Sequence, residues 1–262
     1  MVPLARLAVL PMLAVLLGLA GPPPAAAQEV VVSAAISAKD ALEALHPRFV
    51  AGHPGAAVRY NWGASGALQK QIEAGAPVDV FVSAARRPMD ELERAGLIVA
   101  ASRRDFARNA LVVVKPADSP LGLRRPADLL DPRVARLVIG NPRTVPAGQY
   151  AEQSLRALGL WERLRPRLIL AENVRQALEY VARGEVDAGF VYTTDAVPGG
   201  ARVREAFRPP EESYGPVLYP AAVVAASRQR RLAQAFVDLL LGPEGRAALA
   251  RFGFLPPAVG AR

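Results

Sequence analysis

The stretch Leu137-Val138-Ile139-Gly140-Asn141-Pro142-Arg143-Thr144-Val145-Pro146-Ala147-Gly148 passes from a buried-strand pattern into a helix that begins near Pro146. Consecutive branched apolar residues suit a strand covered on both faces. Proline suits a first helical turn, where its missing N–H would have had no partner anyway. That turn leaves backbone N–H groups unpaired, and the summed peptide dipole places partial positive charge beside them, so an anion can be held there. Ala147 and Gly148 put no bulk in front of the amides, and nothing acidic stands near. On this segment alone an ordinary strand-to-helix turn is the commoner explanation.

The same grammar recurs on both sides of this stretch. Val30-Val31-Val32 reads as a short buried strand, and the helix after it buries Ala41, Leu42, Leu45 and Phe49, with Ser37 at its start. Ser37 fits two roles: an N-cap that accepts from an orphan N–H, or a donor to a bound oxyanion. Val58 to Trp62 reads as a strand, Gly63-Ala64-Ser65-Gly66 as a loop, and 67–74 as a helix stopped by Gly75, which puts Ser65 where Ser37 stood. A further helix starts at Asn173-Val174. One internal similarity joins the halves. Ala67-Leu68 to Gly75 followed by Val78-Asp79-Val80-Phe81-Val82-Ser83 matches Ala177-Leu178 to Gly184 followed by Val186-Asp187-Ala188-Gly189-Phe190-Val191-Tyr192. Each is helix, glycine stop, aspartate, buried strand. αβ units also look alike by necessity. A genuine repeat makes two equivalent lobes whose strand ends, at Ser83 and Tyr192, face one ligand.

Residues 1–27 read as a secretory signal peptide: Arg6, an apolar run from Leu7 to Ala20, and a small-residue cleavage site ending at Ala27. Removing them takes away Arg6 and no acidic residue, so a formal net charge of +8 becomes +7. The arginines are spread among acidic residues, whereas a nucleic-acid face needs clustering, so no nucleic-acid partner is expected. There is no cysteine, which excludes disulfides, thiol chemistry and lipid attachment through cysteine. The remaining chain, alternating valine-rich strand runs with alanine- and leucine-rich helical runs, fits two lobes or one α/β body. Two extended, proline-punctuated segments, Ala110 to Pro116 and Tyr214 to Pro220, suit crossings between lobes. They divide the chain into a first lobe of 28–109 with 221–262 and a second of 110–220. Paired crossings of this kind make a hinge.

Catalysis finds little support. The two histidines, His46 and His53, lie near a helix end, away from the loops singled out above, and read as surface residues. Gly63-Ala64-Ser65-Gly66 lacks the last glycine of a nucleophile elbow, and both histidines precede the serine, against the order of that fold. A secreted serine hydrolase using Ser65 is the enzyme alternative. No spacing suits zinc, calcium, a P-loop or a dinucleotide. What remains is a set of helix starts near Ser37, Ser65, Ala147 and Val174, plus the Tyr192 phenol. A fully ionised tetrahedral oxyanion only accepts hydrogen bonds, so neutral N–H and O–H donors satisfy it. Arg175 reads as a solvated helix residue.

Gln71-Ile72-Glu73-Ala74-Gly75-Ala76-Pro77, Val145-Pro146-Ala147-Gly148, Asn173-Val174-Arg175 and Val191-Tyr192-Thr193-Thr194-Asp195-Ala196 resemble the periplasmic molybdate-binding proteins of molybdate ABC transporters, and the resemblance runs over essentially the whole chain after residue 27. It implies a two-lobe α/β fold of the type II periplasmic-binding-protein kind with a two-segment hinge. The implied ligand is molybdate or tungstate, and another tetrahedral oxyanion such as sulfate is the alternative. The implied donors are Ser37 and Ser65 through hydroxyl and amide, Ala147 and Val174 through backbone N–H, and Tyr192 through its hydroxyl. No catalytic residue, cofactor or direct metal ligand is implied, since molybdenum enters only as the oxyanion. A periplasmic monomer that serves a membrane ABC permease is expected. Two departures stand out: Ala84-Ala85, where relatives often carry alanine–aspartate, is expected to touch only the surface, and Trp62-Gly63-Ala64 replaces a more serine-rich approach to Ser65, with an effect on pocket size.

Overall fold

The computed structural model describes residues 28–257. The signal-peptide reading of 1–27 lies outside the described residues. In chain order, β1 (Gln28–Ala35) runs through a 3-10 turn (Ile36–Ala38) into α1 (Lys39–Gly52), then come β2 (Ala56–Gly63), α2 (Ser65–Glu73), β3 (Val80–Val82), α3 (Arg86–Arg94) and β4 (Arg104–Asn109). Next come β5 (Leu111–Pro116), β6 (Leu137–Gly140), α4 (Pro146–Ala157), α5 (Trp161–Leu164), β7 (Leu168–Ala171), α6 (Val174–Ala182), β8 (Ala188–Tyr192), α7 (Thr193–Gly199) and β9 (Val203–Phe207). The described chain closes with β10 (Val217–Val223), α8 (Arg230–Leu241) and α9 (Pro243–Arg251). Among the described residues no helix is long and apolar enough to cross a membrane.

The strands form two five-stranded mixed sheets, ordered β2-β1-β3-β10-β4 and β7-β6-β8-β5-β9. In each, three parallel strands are followed by one antiparallel strand and then by an outer strand antiparallel to that one. The antiparallel strand next to each parallel trio, β10 or β5, arrives from the other half of the chain. Ala110 alone separates β4 in one sheet from β5 in the other, and residues 208–216 make the return. This is the α/β architecture expected of the fold class.

Period-two alternation decides which face each strand residue serves. In β3, Val80 and Val82 enter the main core with Leu42, Leu45, Phe49 and Phe236, whereas Phe81 faces Leu68, Ile72, Met89 and Leu92 on the opposite side. All three strand residues are fully buried. α1 carries its apolar face on Ala41, Leu42, Leu45 and Phe49, as its spacing predicts, and Phe49 meets Phe236 of α8 edge to face at 5.4 Å. Truncating Leu42 to alanine in such packing costs about 2–5 kcal/mol.

The internal similarity extends to single hydrogen bonds. Asp79 N–H donates to Val31 O, and Val31 N–H returns a bond to Asp79 Oδ2 at 2.8 Å. Asp187 N–H donates to Arg136 O, and Arg136 N–H returns a bond to Asp187 Oδ2 at 2.7 Å. In both halves the aspartate staples the start of a buried strand to the neighbouring parallel strand. The glycine stops before them, Gly75 and Gly184, take the left-handed conformation, with φ of 84° and 67°.

Candidate functional site

The six parallel strands all point their C-terminal ends into one cleft, where ligands of open α/β sheets bind. The loops after them wall a single small cavity. β1 supplies Ala35, Ile36 and Ser37; β2 supplies Gly63, Ala64 and Ser65; β3 is followed by Ala84. From the other sheet come Val145, Pro146 and Ala147 after β6, Val174 after β7 and Tyr192 at the end of β8. All five residues singled out from sequence (Ser37, Ser65, Ala147, Val174 and Tyr192) line it. The cavity encloses about 10 Å³, close to the space of one water-sized sphere. It adjoins a more open mouth of about 370 Å³ that includes Gly63, Ala64, Asn141, Thr144 and Asn173.

No charged side chain lines this cavity. Ala147 is the second residue of α4 and Val174 the first of α6, so their amides have no intrahelical acceptor and carry the positive end of the helix dipole. Asn173 caps α6 by accepting from Gln176 N–H at 3.0 Å, which leaves the Val174 amide free of that cap. Ser65 Oγ accepts the Ala84 N–H at 2.9 Å, so its own proton is available to the cavity. Tyr192 is fully buried, its hydroxyl 3.4 Å from Ala84 O. Burial pushes its pKa well above the ordinary tyrosine value, with nearby Tyr219 adding to the shift, and so keeps it a neutral O–H donor. The groups that line the cavity are all neutral.

Three sequence readings need correction, and one of the two roles open to Ser37 falls away. Ser37 does not cap α1: the cap position is Ala38, and the Ser37 hydroxyl bonds the Tyr219 hydroxyl at 2.8 Å instead. Gly148 is not small for the ligand's sake. A Cβ there would fall 1.8 Å from Gly140 O, so the glycine lets the first turn of α4 lie against the end of β6. Ala84-Ala85 is not a surface pair; both residues are buried, and Ala84 touches Ser65 and Tyr192 through its backbone. Arg175 is not a solvated helix residue. Its Nη2 donates to Asp40 Oδ2 at 2.6 Å and its Nε to Asp195 Oδ1 at 3.3 Å. It thereby ties α6 to α1 beside the cavity without lining it.

Sequence reasoning missed the groups behind the cavity: Tyr219, Asn109, Asp40 and Asp195. Tyr219 lies 182 positions from Ser37, and Arg175 lies 135 from Asp40, so no local spacing could have paired them. The half-buried His53 stacks on Phe49 at 4.6 Å, away from the cavity. A larger open groove, about 900 Å³, lies along Arg86, Asp90, Glu93, Arg103 and Arg104. Its charges neutralise one another: Arg103 pairs with Asp90 and Glu93, and Arg86 with Asp105. It offers no converging set of free donors.

Known proteins resemble this chain over almost its whole length. The family described as bacterial extracellular solute-binding protein matches residues 30–255. The molybdate-binding protein ModA of Escherichia coli (strain K12) is 37% identical over 235 residues, spanning 86% of this chain and 88% of that protein. A putative ABC transporter substrate-binding lipoprotein of Bacillus subtilis (strain 168) is 33% identical over 225 residues, 86% of this chain and 85% of the relative. Among solved structures, the periplasmic molybdate-binding protein of Azotobacter vinelandii superposes with a TM-score of 0.79 at 28% identity, covering 87% of this chain and 99% of that one.

Proposed function

The chain belongs to the bacterial extracellular solute-binding protein family and is a homologue of the molybdate-binding proteins of ABC transporters, and we propose that it captures molybdate, and tungstate as well, and hands it to a membrane permease. The observation that carries this reading is that Ser37, Ser65, Ala147, Val174 and Tyr192 together line one cavity with no charged side chain. A doubly charged oxyanion without protons offers only acceptors, so each donor makes a useful bond and none is misplaced. The donors are the Ser37, Ser65 and Tyr192 hydroxyls and the Ala147 and Val174 amides, with the Ser65 amide beside them. Each contributes about 1–3 kcal/mol once water is excluded. Absence of a fixed counter-charge keeps capture reversible, as delivery requires.

The small cavity volume supports a cycle in which two lobes part to admit the anion and close over it, and because β10 lies wholly in the first sheet the boundary expected at 220 moves back, giving lobes of 28–109 with 217–257 and of 110–216. The crossings near Ala110 and at 208–216 bend in that motion. The protein makes and breaks no covalent bond, works as a monomer, and reaches the periplasm by export with cleavage after Ala27. Calorimetric competition of molybdate, tungstate, sulfate and hydrogen phosphate on the purified protein tests the reading. Tight binding of the first two, with sulfate and phosphate weaker by about 100-fold or more, is expected. Preference for sulfate would transfer the site to the smaller oxyanion. A serine-directed phosphonate probe that labels Ser65 would overturn the transport reading altogether.

A further inference from the structure

Behind Ser37 lies a chain of hydrogen bonds whose direction is set by elimination. Asn109 ends β4, and its amide oxygen stands 2.9 Å from the Ala110 N–H and 2.9 Å from Thr193 Oγ1. A backbone N–H can only donate, so that atom is Oδ1, and the other amide atom is the NH₂ group. Its two protons face Thr194 Oγ1 at 2.8 Å and the Tyr219 hydroxyl at 3.3 Å. Tyr219 oxygen therefore accepts from Asn109, and its own single proton is left for Ser37 Oγ at 2.8 Å. Ser37 oxygen then accepts from Tyr219, and its single proton is left for the cavity that Ser37 lines. Tyr219 and Asn109 are both buried, so water does not scramble the order.

We propose that Tyr219, held by Asn109, is a positioning residue that locks Ser37 as a donor toward the bound anion and so selects oxyanions that carry no proton. The inference rests on Ser37 being one of the anion's donors. A serine hydroxyl free to rotate can accept as readily as donate, and a protonated anion such as hydrogen phosphate exploits that freedom. With the relay in place, the proton of such an anion meets another proton. Desolvated donor pairs of that kind are costly because neither is satisfied. Asn109 also binds Thr193 and Thr194 at the start of α7, so residues of the second half hold the amide that orients Tyr219.

The test is a double-mutant cycle in the full protein, read by molybdate titration calorimetry, with thermal melts to check folding. Ser37→Ala and Tyr219→Phe each weaken molybdate binding, by about 5- to 30-fold. In the Ser37→Ala background, Tyr219→Phe changes affinity by less than about twofold, since its effect passes through the missing hydroxyl. The ratio of molybdate to hydrogen phosphate affinity falls in Tyr219→Phe. Equal losses from Tyr219→Phe in both backgrounds, or an unchanged anion ratio, overturn the relay. Loss in Ser37→Ala with no loss in Tyr219→Phe overturns the relay alone, whereas no loss in Ser37→Ala removes Ser37 from the site itself. Should Tyr219→Phe melt below the titration temperature, Asn109→Asp serves the same cycle, because an acceptor in place of Nδ2 draws the Tyr219 proton away from Ser37.

Discussion

Arg175 and Asp40 are joined across the cleft: the guanidinium Nη2, on α6, lies 2.6 Å from the carboxylate Oδ2, on α1. The same guanidinium holds the buried Asp195 through Nε. Asp195 belongs to Arg175's own half of the chain and Asp40 to the other, so one bond is internal and the other runs between the halves. Asp40→Asn should therefore weaken closure while leaving the buried pair intact. Molybdate affinity is expected to fall about 3- to 10-fold, mainly through faster release, with the melting temperature of the free protein nearly unchanged. Stopped-flow displacement reads this directly, and an unaltered release rate would remove Asp40 from the latch.

Asp195 gives the protein a pH signature. An aspartate in water titrates near 3.8, and burial lifts this one to about 6 against the opposing pull of Arg175. Asp40 adds a small upward push, and the Tyr192 N–H, 3.4 Å from Oδ2, a downward one. The folded state thus binds this proton more tightly than the unfolded state. The stability it contributes is complete below about pH 4 and is lost as pH rises through about 6, amounting to roughly 3 kcal/mol at most. Asp195→Asn removes the titration. Its melting temperature relative to the parent should be highest above pH 6 and decline on acidification toward pH 4. A difference constant across that range would show that Asp195 does not titrate there.

Gly66 sits at a close backbone contact between the two halves. Its N–H donates to Thr144 O at 2.9 Å, and an added Cβ would lie 2.7 Å from that same oxygen. Gly66 has no positive φ, so alanine suits the backbone of α2 and even favours the helix by up to about 1 kcal/mol. Gly66→Ala should consequently keep or raise the melting temperature while weakening molybdate binding by about 10-fold or more. Undiminished affinity would mean that the bound state does not need this contact.

The Tyr192 hydroxyl has only a long contact, 3.4 Å, to Ala84 O, so its removal strands no tightly held partner. Tyr192→Phe should leave stability within about 1 kcal/mol of the parent and reduce molybdate affinity about 5- to 100-fold. Ring packing against Tyr219, at 5.9 Å, survives the change. Equal affinity of the two proteins would take the phenol out of the donor set.

Much of this fold is legible in the sequence alone. Valine runs such as Val30 to Val32, glycine stops at Gly75 and Gly184, and the α1 face from Ala41 to Phe49 report burial and chain reversal, which are local properties. Because a helix start always leaves unpaired amides, the helix starts at Pro146-Ala147 and Asn173-Val174 are legible from position, whereas the assignment of Ala147 and Val174 as donors comes from the family resemblance. The likeness of the two αβ units even foretold the matching roles of Asp79 and Asp187, although not the bonds they make.

Sequence by itself thus determined the alternation of strands and helices and the helix starts at Pro146 and Val174. Tertiary structure decided which hydroxyl faces which. Of the two roles open to Ser37, the cap fell away, and β10, arriving from the far half of the chain, brings the Tyr219 hydroxyl within 2.8 Å of its own. Arg175 became a bridge because closure sets α1 opposite α6, and Gly148 became a packing residue because α4 lies on the end of β6. The physical reason is common to all three. Periodicity records whether a residue is buried, whereas a hydrogen-bond partner is chosen by chain crossings that no window of sequence contains.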